Sequence, residues 1–205
     1  MKKNITIIDY GAGNLISVQN AIEFLGYKSI ISNDPKIILN SEFLILPGVG
    51  SFYKSMQKLN KLKITDAIKK NISQNGGKIL GICLGMQLLA SLGTEDKKIN
   101  GIGLIKGKVI KLEKITKKIL PHIGFNLIKT DYEGGLFAGL NQNKFFYFVH
   151  SYFLKIEKKE NFKFSYCNYG GNFISSFENE KVFGTQFHPQ KSQKNGLQIL
   201  KNFIN

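Results

Sequence analysis

The chain of 205 residues contains no arginine and no tryptophan, and it has only two cysteines and four prolines. Its 29 basic residues are therefore all lysines, and the net charge is +15. Such a charge is common in nucleic-acid-binding proteins, but these rely on arginine for bidentate contacts with bases and phosphates. Because arginine is absent and no nucleic-acid motif occurs, we expect no nucleic-acid partner. A basic rim that attracts a phosphorylated substrate or an acidic protein is the alternative.

Several other classes of protein are disfavoured by what the chain lacks. No apolar run approaches the ~18 residues that a membrane-spanning helix needs. The first four residues lead into a short apolar run without a small-residue cleavage site, so we expect no signal peptide. Two cysteines without metal-ligand spacing predict neither a disulfide framework nor a metal site, and they fit a cytoplasmic location. The length predicts one domain, residues 1–205.

Strand and helix patterns alternate through the first half of the chain. We expect strands at residues 5–9, 28–32, 43–46 and 78–82, and helices at about residues 15–25, 52–59 and 64–73. Residues 102–186 are rich in glycine, β-branched and aromatic residues and predict short strands and hairpins, before a last helix at residues 196–204. This order predicts an α/β fold with a central, mostly parallel sheet, helices on both faces and a strand-rich second half. Functional groups are expected at the carboxyl ends of the strands.

The most informative segment is Gly81-Ile82-Cys83-Leu84-Gly85, which joins a predicted strand to a helical pattern. This arrangement is typical of a nucleophile elbow, a sharp turn in which flanking glycines leave no room for a Cβ. A thiol at a helix N-terminus is favoured as thiolate, and the adjacent backbone N–H groups can bind an oxyanion. We therefore predict that Cys83 is a nucleophile, the alternative being a buried structural cysteine. Cys167 is predicted to be a small core residue.

Two further glycine-bearing loops follow predicted strands. The loop at residues 11–13 lacks the third glycine of the dinucleotide fingerprint, and no phosphate-binding Gly-Lys-Ser/Thr segment occurs, so no nucleotide cofactor is expected. The segment Pro47-Gly48-Val49-Gly50 is placed to direct backbone N–H groups at an anionic intermediate beside Cys83. An ordinary strand-to-helix turn explains this segment equally well.

A cysteine nucleophile needs a base, and the chain has three histidines. Pro189 disfavours a helical backbone at His188, and residues two apart in an extended chain project to the same side, so His188 and Gln190 share a face. This pair predicts an imidazole base with an orienting acceptor beside it. His150 follows an aromatic strand and is expected to line a pocket, whereas His122 has no evident partner. Each histidine taken alone is more often structural.

Three segments together resemble the class I, triad-type glutamine amidotransferases: Gly-Ile-Cys-Leu-Gly-Met-Gln, Leu-Pro-Gly-Val-Gly and Phe-His-Pro-x-Lys-Ser. Segments at residues 9–14, 121–126 and 147–152 are similar to those of the glutaminase subunits of imidazole glycerol phosphate synthase, an enzyme of histidine biosynthesis. The resemblance covers about residues 5–203. It implies a flavodoxin-like fold and a single amidotransferase domain.

The resemblance also implies a role for each matching residue. Cys83 attacks the side-chain amide of glutamine to give a γ-glutamyl thioester and ammonia, with His188 and Gln190 completing the triad. The other implied residues are Gly48, Val49 and Leu84 in the oxyanion hole, Gly50, Gln87, Ser151 and Tyr152 at the substrate, and Asn14, Ile123, Gly124, Phe125, Tyr147 and Lys191 at a partner interface. The implied partner is a cyclase subunit with a (β/α)₈ barrel, which uses the ammonia to make imidazole glycerol phosphate and AICAR. No metal, organic cofactor or membrane is implied.

Two positions depart from the family pattern. Gln190 stands where glutamate is usual, and its amide oxygen can accept from an imidazole N–H but cannot stabilise the imidazolium charge. We expect a loss of about 10- to 1000-fold in rate from this change. Phe125 stands where tryptophan is usual, which keeps an aromatic contact but removes an indole N–H donor.

Three alternatives to a histidine-pathway glutaminase are open from the sequence. One is a paralogue that supplies ammonia for amidation of a surface-polysaccharide sugar. Another is a docking and regulatory subunit in which Gln190 marks the loss of catalysis. The third, a Cys–His peptidase or chaperone of similar fold, is disfavoured because such proteins lack the Pro-Gly-Val-Gly and Phe-His-Pro segments.

Overall fold

A nine-stranded mixed sheet forms the centre of the computed structural model, which describes residues 3–140, 144–157 and 161–205. In chain order the elements are β1 (Ile5–Ile8), α1 (Leu15–Phe24), β2 (Ser29–Ser32), α2 (Pro35–Leu39), β3 (Phe43–Gly48), α3 (Phe52–Lys61), α4 (Ile64–Gln74), β4 (Lys78–Cys83), α5 (Leu84–Leu88), β5 (Ala90–Gly93), β6 (Ile99–Asn100), β7 (Ile105–Lys111), β8 (His122–Thr130), β9 (Phe145–His150), β10 (Tyr152–Ile156), β11 (Lys163–Asn168), β12 (Asn172–Glu178), β13 (Val182–Thr185) and α6 (Gln193–Ile204).

The strand order of the large sheet is β2-β1-β3-β4-β13-β12-β11-β8-β9. The strands from β2 to β13 are parallel to one another, and those from β12 to β9 continue the sheet in antiparallel pairs. Strands β1 and β3 are buried along their whole length, as expected for parallel strands covered on both faces. The predicted α/β fold is confirmed, and its parallel part consists of the first-half strands together with β13.

Helices cover both faces of the sheet, as predicted. On one face, α1 and α6 pack through buried residues such as Val18, Ile22 and Phe203. On the other face, α3 and α4 pack through residues that include Met56 and Ile68. The buried positions within each helix recur at the three- and four-residue spacing of an amphipathic helix. None of the helices in the described ranges is long and apolar enough to cross a membrane.

A second, four-stranded sheet of order β10-β7-β5-β6 was not predicted from the sequence. Helix α5 ends at Leu88, and residues 90–93 form a strand in place of further helix. After β8 and β9 of the large sheet, the chain returns to this small sheet where β9 ends at His150 and β10 begins at Tyr152. Ser151 therefore lies at the junction of the two sheets.

The carboxyl ends of the parallel strands place the chemically important residues at one edge of the large sheet. Strand β4 ends at Cys83, and the neighbouring β13 ends three residues before His188. Strand β9 runs in the same direction as β13, because four antiparallel steps separate them, so His150 lies at this edge too. His122, at the start of β8, pairs with His150.

Candidate active site

The backbone at Cys83 adopts a conformation that is unfavourable for a residue with a side chain. Cys83 lies where β4 ends and α5 begins, and its φ of 56° and ψ of −111° are outside the regions that residues with a Cβ usually adopt. A Cβ at Gly85 would overlap the carbonyl oxygen of Leu46, and a Cβ at Gly81 would lie 2.6 Å from the backbone nitrogen of Met86. The two glycines thus let α5 pack directly on β3 and β4, and the turn between them projects the thiol over the sheet edge.

The Cys83 thiol is buried between two polar groups. Its Sγ lies 3.7 Å from the Val149 carbonyl oxygen, to which it donates, and the Gln186 side-chain amide donates to Sγ at 3.7 Å. Burial raises the pKa of Cys83 to about 12, although the Leu84 N–H, the Gln186 amide and the Lys191 charge act to lower it. Desolvation outweighs the three favourable groups, so the thiol is protonated at neutral pH, and the expectation of a thiolate at the helix N-terminus was wrong for this state of the site.

His188 is fixed to β9 through its backbone. Its N–H donates to the Tyr147 carbonyl oxygen at 2.9 Å, and its own carbonyl oxygen accepts from the Ser192 hydroxyl at 2.7 Å. Burial and the Lys191 charge lower the pKa of His188 to about 4, so the ring is neutral at neutral pH. Its Nε2 is buried and has no hydrogen-bond partner among the described residues, so the ring is not bonded to the Cys83 thiol.

Gln190 lies beside the other ring nitrogen of His188. Its Nε2 is 3.2 Å from His188 Nδ1, and its buried Oε1 has no hydrogen-bond partner within residues 3–140, 144–157 and 161–205. With the amide nitrogen toward the ring, Nδ1 accepts and the ring proton sits on Nε2, where it blocks removal of a thiol proton. A half-turn of the amide occupies the same space, brings the oxygen to Nδ1–H and leaves Nε2 free as a base. His188 can act as the base only in the second arrangement.

The segment at residues 47–50 lies beside the elbow. Gly48 is paired with Cys83 across β3 and β4. The Tyr10 hydroxyl donates to the Pro47 carbonyl oxygen at 2.9 Å and occupies the space that a Cβ at Gly48 would need. Tyr10 therefore fixes the orientation of the peptide that precedes Gly48. No local sequence signal pointed to this role of Tyr10.

A cavity of about 320 Å³ opens above the thiol. Its size suits a small ligand. It is lined by Val49, Gly50, Cys83, Leu84, Gln87, Glu95, Pro121, Val149, His150, Ser151 and Tyr152. The cavity thus brings together all the residues that the resemblance implied at the substrate, along with Val49 and Leu84. His188 and Gln190 are not among the lining residues.

Glu95 and Gln186 belong to this site but were not predicted. Glu95 is the charged residue of the cavity lining, and its Oε2 accepts from the Phe52 N–H at 2.8 Å. Burial raises its pKa, and the Phe52 N–H opposes that shift. The buried Gln186 donates to Cys83 and accepts from Gln87 Nε2 at 2.9 Å, and Gln87 Nε2 also donates to the Tyr152 carbonyl oxygen at 2.9 Å.

The two remaining histidines form a pair. His150 lines the cavity, as expected, and its Nε2 lies 3.0 Å from His122 Nδ1. His122 therefore has a partner that the sequence did not reveal. Burial lowers the pKa of His122 to about 4 and that of His150 to about 3. Both rings are neutral at neutral pH.

Three of the six residues implied at the partner interface, Ile123, Phe125 and Tyr147, lie on the outward face of the β8–β9 hairpin. Ile123 and Phe125 are 59% and 49% exposed, and Phe125 pairs with Tyr147 in the strand register. Lys191 Nζ lies 5.7 Å from the centre of the Tyr147 ring, and Gly124 has a φ of 122° within β8. Asn14 lies elsewhere, where its side chain caps α1 by accepting from the Ser17 N–H.

Comparison with known proteins assigns the chain to a family. The sequence model of the family 'Glutamine amidotransferase class-I' matches residues 6–205. The imidazole glycerol phosphate synthase subunit HisH of Methanosarcina barkeri is 46% identical over 204 residues, which cover 98% of each chain. A HisH 2 subunit of Methanococcus maripaludis is 41% identical over 200 residues, with 98% of each chain covered. The chain belongs to the HisH family of class I glutamine amidotransferases.

Solved structures show the same fold for this HisH-family chain. A glutamine amidotransferase matches with a TM-score of 0.75 at 15% identity over 97% of this chain and 96% of that one. PurLQS from Thermotoga maritima matches with a TM-score of 0.73 at 19% identity over 100% and 99% of the two chains. The described residues contain no group of three or more His, Cys, Asp or Glu side chains that could hold a metal ion.

The elbow geometry predicts that Gly85→Ala is strongly destabilising in this HisH-family chain. The new methyl group overlaps backbone rather than a movable side chain, so we expect a loss of at least about 3 kcal/mol in the free energy of unfolding. Gly26→Ala is the matched control, because Gly26 has a φ of 84° and open space around it. It should lose only the ~1–2 kcal/mol of a left-handed backbone. Denaturant titration of both variants measures this, and equal losses would contradict the packing argument.

Proposed function

We propose that this amidotransferase subunit hydrolyses glutamine through a thioester on Cys83 and delivers the ammonia to a cyclase subunit of histidine biosynthesis. The observation that carries the proposal is the elbow thiol beneath a small cavity lined by Gln87, Glu95 and Tyr152. The names of the full-length relatives support the pathway and the existence of a second subunit. They do not favour the sugar-amidating alternative.

Glutamine binds with its charged end away from the nucleophile. The Glu95 carboxylate, held by the Phe52 N–H, is the group that pairs with the α-ammonium of the substrate. The Tyr152 backbone N–H donates to the α-carboxylate. These contacts place the side-chain amide over Cys83, where the Leu84 N–H and the Gly48–Val49 peptide receive the developing oxyanion.

Catalysis begins with transfer of the thiol proton. His188 Nε2 takes the proton of Cys83, and the thiolate attacks the amide carbon to form a tetrahedral intermediate. His188 then gives the proton to the leaving nitrogen, and the C–N bond breaks to release ammonia and leave a γ-glutamyl thioester. Water, deprotonated by His188, attacks the thioester carbon and releases glutamate and the thiol.

These steps require a contact between the Cys83 thiol and His188 Nε2 that the structure does not contain. The thiol donates to the Val149 carbonyl oxygen, and His188 Nε2 has no hydrogen-bond partner in the part of the chain that the structure describes. Val149 and Tyr147, which hold the thiol and the His188 backbone, both lie on β9. We infer that a partner seated on this hairpin shifts β9 and brings the two groups together.

The partner surface is the outward face of the β8–β9 hairpin. Alternate residues of the two paired strands form it: Ile123, Phe125, Leu127, Phe145, Tyr147 and Val149. Four of these are large exposed hydrophobic residues, and β9 is the edge strand of the large sheet. A contiguous exposed apolar face marks an interaction site. Its position next to the Cys83 cavity suits a subunit that receives ammonia.

Glutamate release from glutamine tests the proposed reaction. The purified chain is assayed with and without the cyclase subunit of the same genome and a cyclase ligand. We expect release that depends on the partner, that is lost in Cys83→Ala and that is kept in Cys167→Ala, because Cys167 is buried on β11 away from the cavity. No release by a complex that still forms would make the chain a docking subunit. Failure to form a complex would favour the sugar-amidating paralogue.

Gln190→Glu is expected to raise the rate of glutamine hydrolysis by about 10- to 1000-fold, because a carboxylate stabilises the imidazolium. The same charge raises the pKa of His188, which must be neutral to accept the thiol proton. The acid limb of the pH–rate profile should therefore move to higher pH. Gln190→Leu, which lacks any acceptor, is the control and should be slower than the parent chain. An unchanged rate in Gln190→Glu would show that another group supplies this stabilisation.

Phe125→Asp is expected to weaken the complex with the cyclase subunit by at least about tenfold in Kd, because it places a charge in the centre of the apolar face. Phe24→Asp is the matched control, since Phe24 is 78% exposed at the far end of α1. It should leave the Kd unchanged. Titration calorimetry with the purified subunits gives both values, and equal effects of the two changes would place the interface elsewhere.

A further inference from the structure

The buried pair of His122 and His150 has no place in the chemistry of the thioester. The two residues are directly opposite each other in the β8–β9 ladder and lie on its inward face. His122 is stacked between Tyr169 and Phe148, with ring centres 4.0 and 4.9 Å away. Both rings are almost completely buried, and each of their four ring nitrogens has a polar partner. Such a fully satisfied polar chain in a core fixes its members in one arrangement.

The hydrogen-bond partners determine where each proton lies. His150 Nδ1 is 2.8 Å from the Tyr152 carbonyl oxygen, which can only accept, so Nδ1 carries the proton. In a neutral ring Nε2 is then an acceptor, and it receives the proton on His122 Nδ1 at 3.0 Å. His122 Nε2 in turn accepts from the Asn126 amide at 3.4 Å.

Asn126 itself is oriented by independent contacts. Its Oδ1 accepts from the Leu127 N–H at 2.8 Å, and its Nδ2 donates to the Asn168 carbonyl oxygen at 3.2 Å. The amide nitrogen therefore faces His122. The hydrogen bonds run from Asn126 through His122 and His150 to Tyr152, and every donor among them meets an acceptor. The donor-to-acceptor direction of the whole series is therefore fixed.

This series of hydrogen bonds ends at the backbone of Tyr152, which lines the substrate cavity. Tyr152 pairs with Lys111 of β7, and the Leu112 N–H donates to the Ser151 carbonyl oxygen at 2.8 Å. Tyr152 is thus a non-hydrogen-bonded partner in this ladder, and its own N–H and C=O point away from β7. The carbonyl oxygen is held by His150 and Gln87. Holding it also fixes the direction of the N–H of the same residue.

We propose that His122 and His150 are positioning residues for glutamine: through the Tyr152 carbonyl oxygen they aim the Tyr152 N–H at the substrate carboxylate. The proposal rests on the proposed function of the Cys83 site. His122 acts through His150, and both lie on the strands whose opposite face is the partner surface. A shift of that hairpin would therefore displace the Tyr152 backbone in the substrate cavity as well as the contacts of Cys83.

The proton positions are tested first, without reference to activity. Nitrogen-15 NMR of the ring nitrogens at neutral pH reports the tautomer of each histidine, and the signals are assigned from the variants His122→Asn and His150→Asn. We expect both rings to be neutral with the proton on Nδ1. A proton on Nε2 of either ring, or a doubly protonated ring, would overturn the proposal.

The positioning role is tested with a matched pair of variants at His122. His122→Asn places an amide N–H where Nδ1–H was and keeps the donor to His150, whereas His122→Phe keeps the stacked ring but has no donor. In the complex with the cyclase subunit, we expect His122→Phe to raise the KM for glutamine about three- to tenfold with little change in kcat. His122→Asn should retain a KM close to that of the parent chain.

The outcomes separate this role from a structural one and from the proposed function. Both variants are first shown to have the melting temperature and cyclase affinity of the parent chain. If His122→Phe fails this check, His150→Leu, which removes the donor to the Tyr152 carbonyl oxygen, replaces it and is expected to raise the KM in the same way. An unchanged KM in His122→Phe, or an equal rise in His122→Phe and His122→Asn, overturns the positioning role while the glutaminase assignment stands. No glutamine hydrolysis by the parent chain overturns both.

Discussion

The rest of the site depends on the backbone of Cys83, which is held in a left-handed conformation at the junction of β4 and α5. Such a conformation is unfavourable by about 1–3 kcal/mol. It persists because Ile79, Leu80 and Ile82 of the same strand are completely buried, each contributing about 1.5–3 kcal/mol. The sheet thus outweighs the strain, and the thiol, the Leu84 N–H and the residues 47–50 take their positions from it.

Two chains of hydrogen bonds meet at the Tyr152 carbonyl oxygen. One runs from the thiol through the Gln186 and Gln87 amides, and the other from β8 through the two histidines. Neither chain contains an ionised group, so their strength is insensitive to screening by salt. The Cys83 thiol, the cavity above it and the strands that carry the proposed partner surface are therefore linked by short, directional contacts in an otherwise apolar interior.

The parts of this site that the sequence predicted are those with local signals. The glycines around Cys83 and in the Pro47–Gly50 loop, each preceded by a strand pattern, were sufficient to place these two segments at one edge of a sheet. Asp34 before Pro35 was an overlooked signal for the start of α2. Glu95, Gln186 and the partner of His122 had no such signal. Gln87 and Gln186 are 99 residues apart, and the histidine pair exists only in one register of β8 and β9. Contacts of this kind follow from tertiary packing, which no short segment encodes.

The alternation of faces in the β8–β9 hairpin limits how this chain can evolve. Successive residues point to opposite sides, so the deletion or insertion of one residue in either strand would carry the apolar side chains inward and the histidines into solvent. Substitutions can adapt the outward face to a changed partner without touching the inward one. Length changes in these strands cannot, because they would disrupt both the proposed docking face and the Tyr152 contact at once.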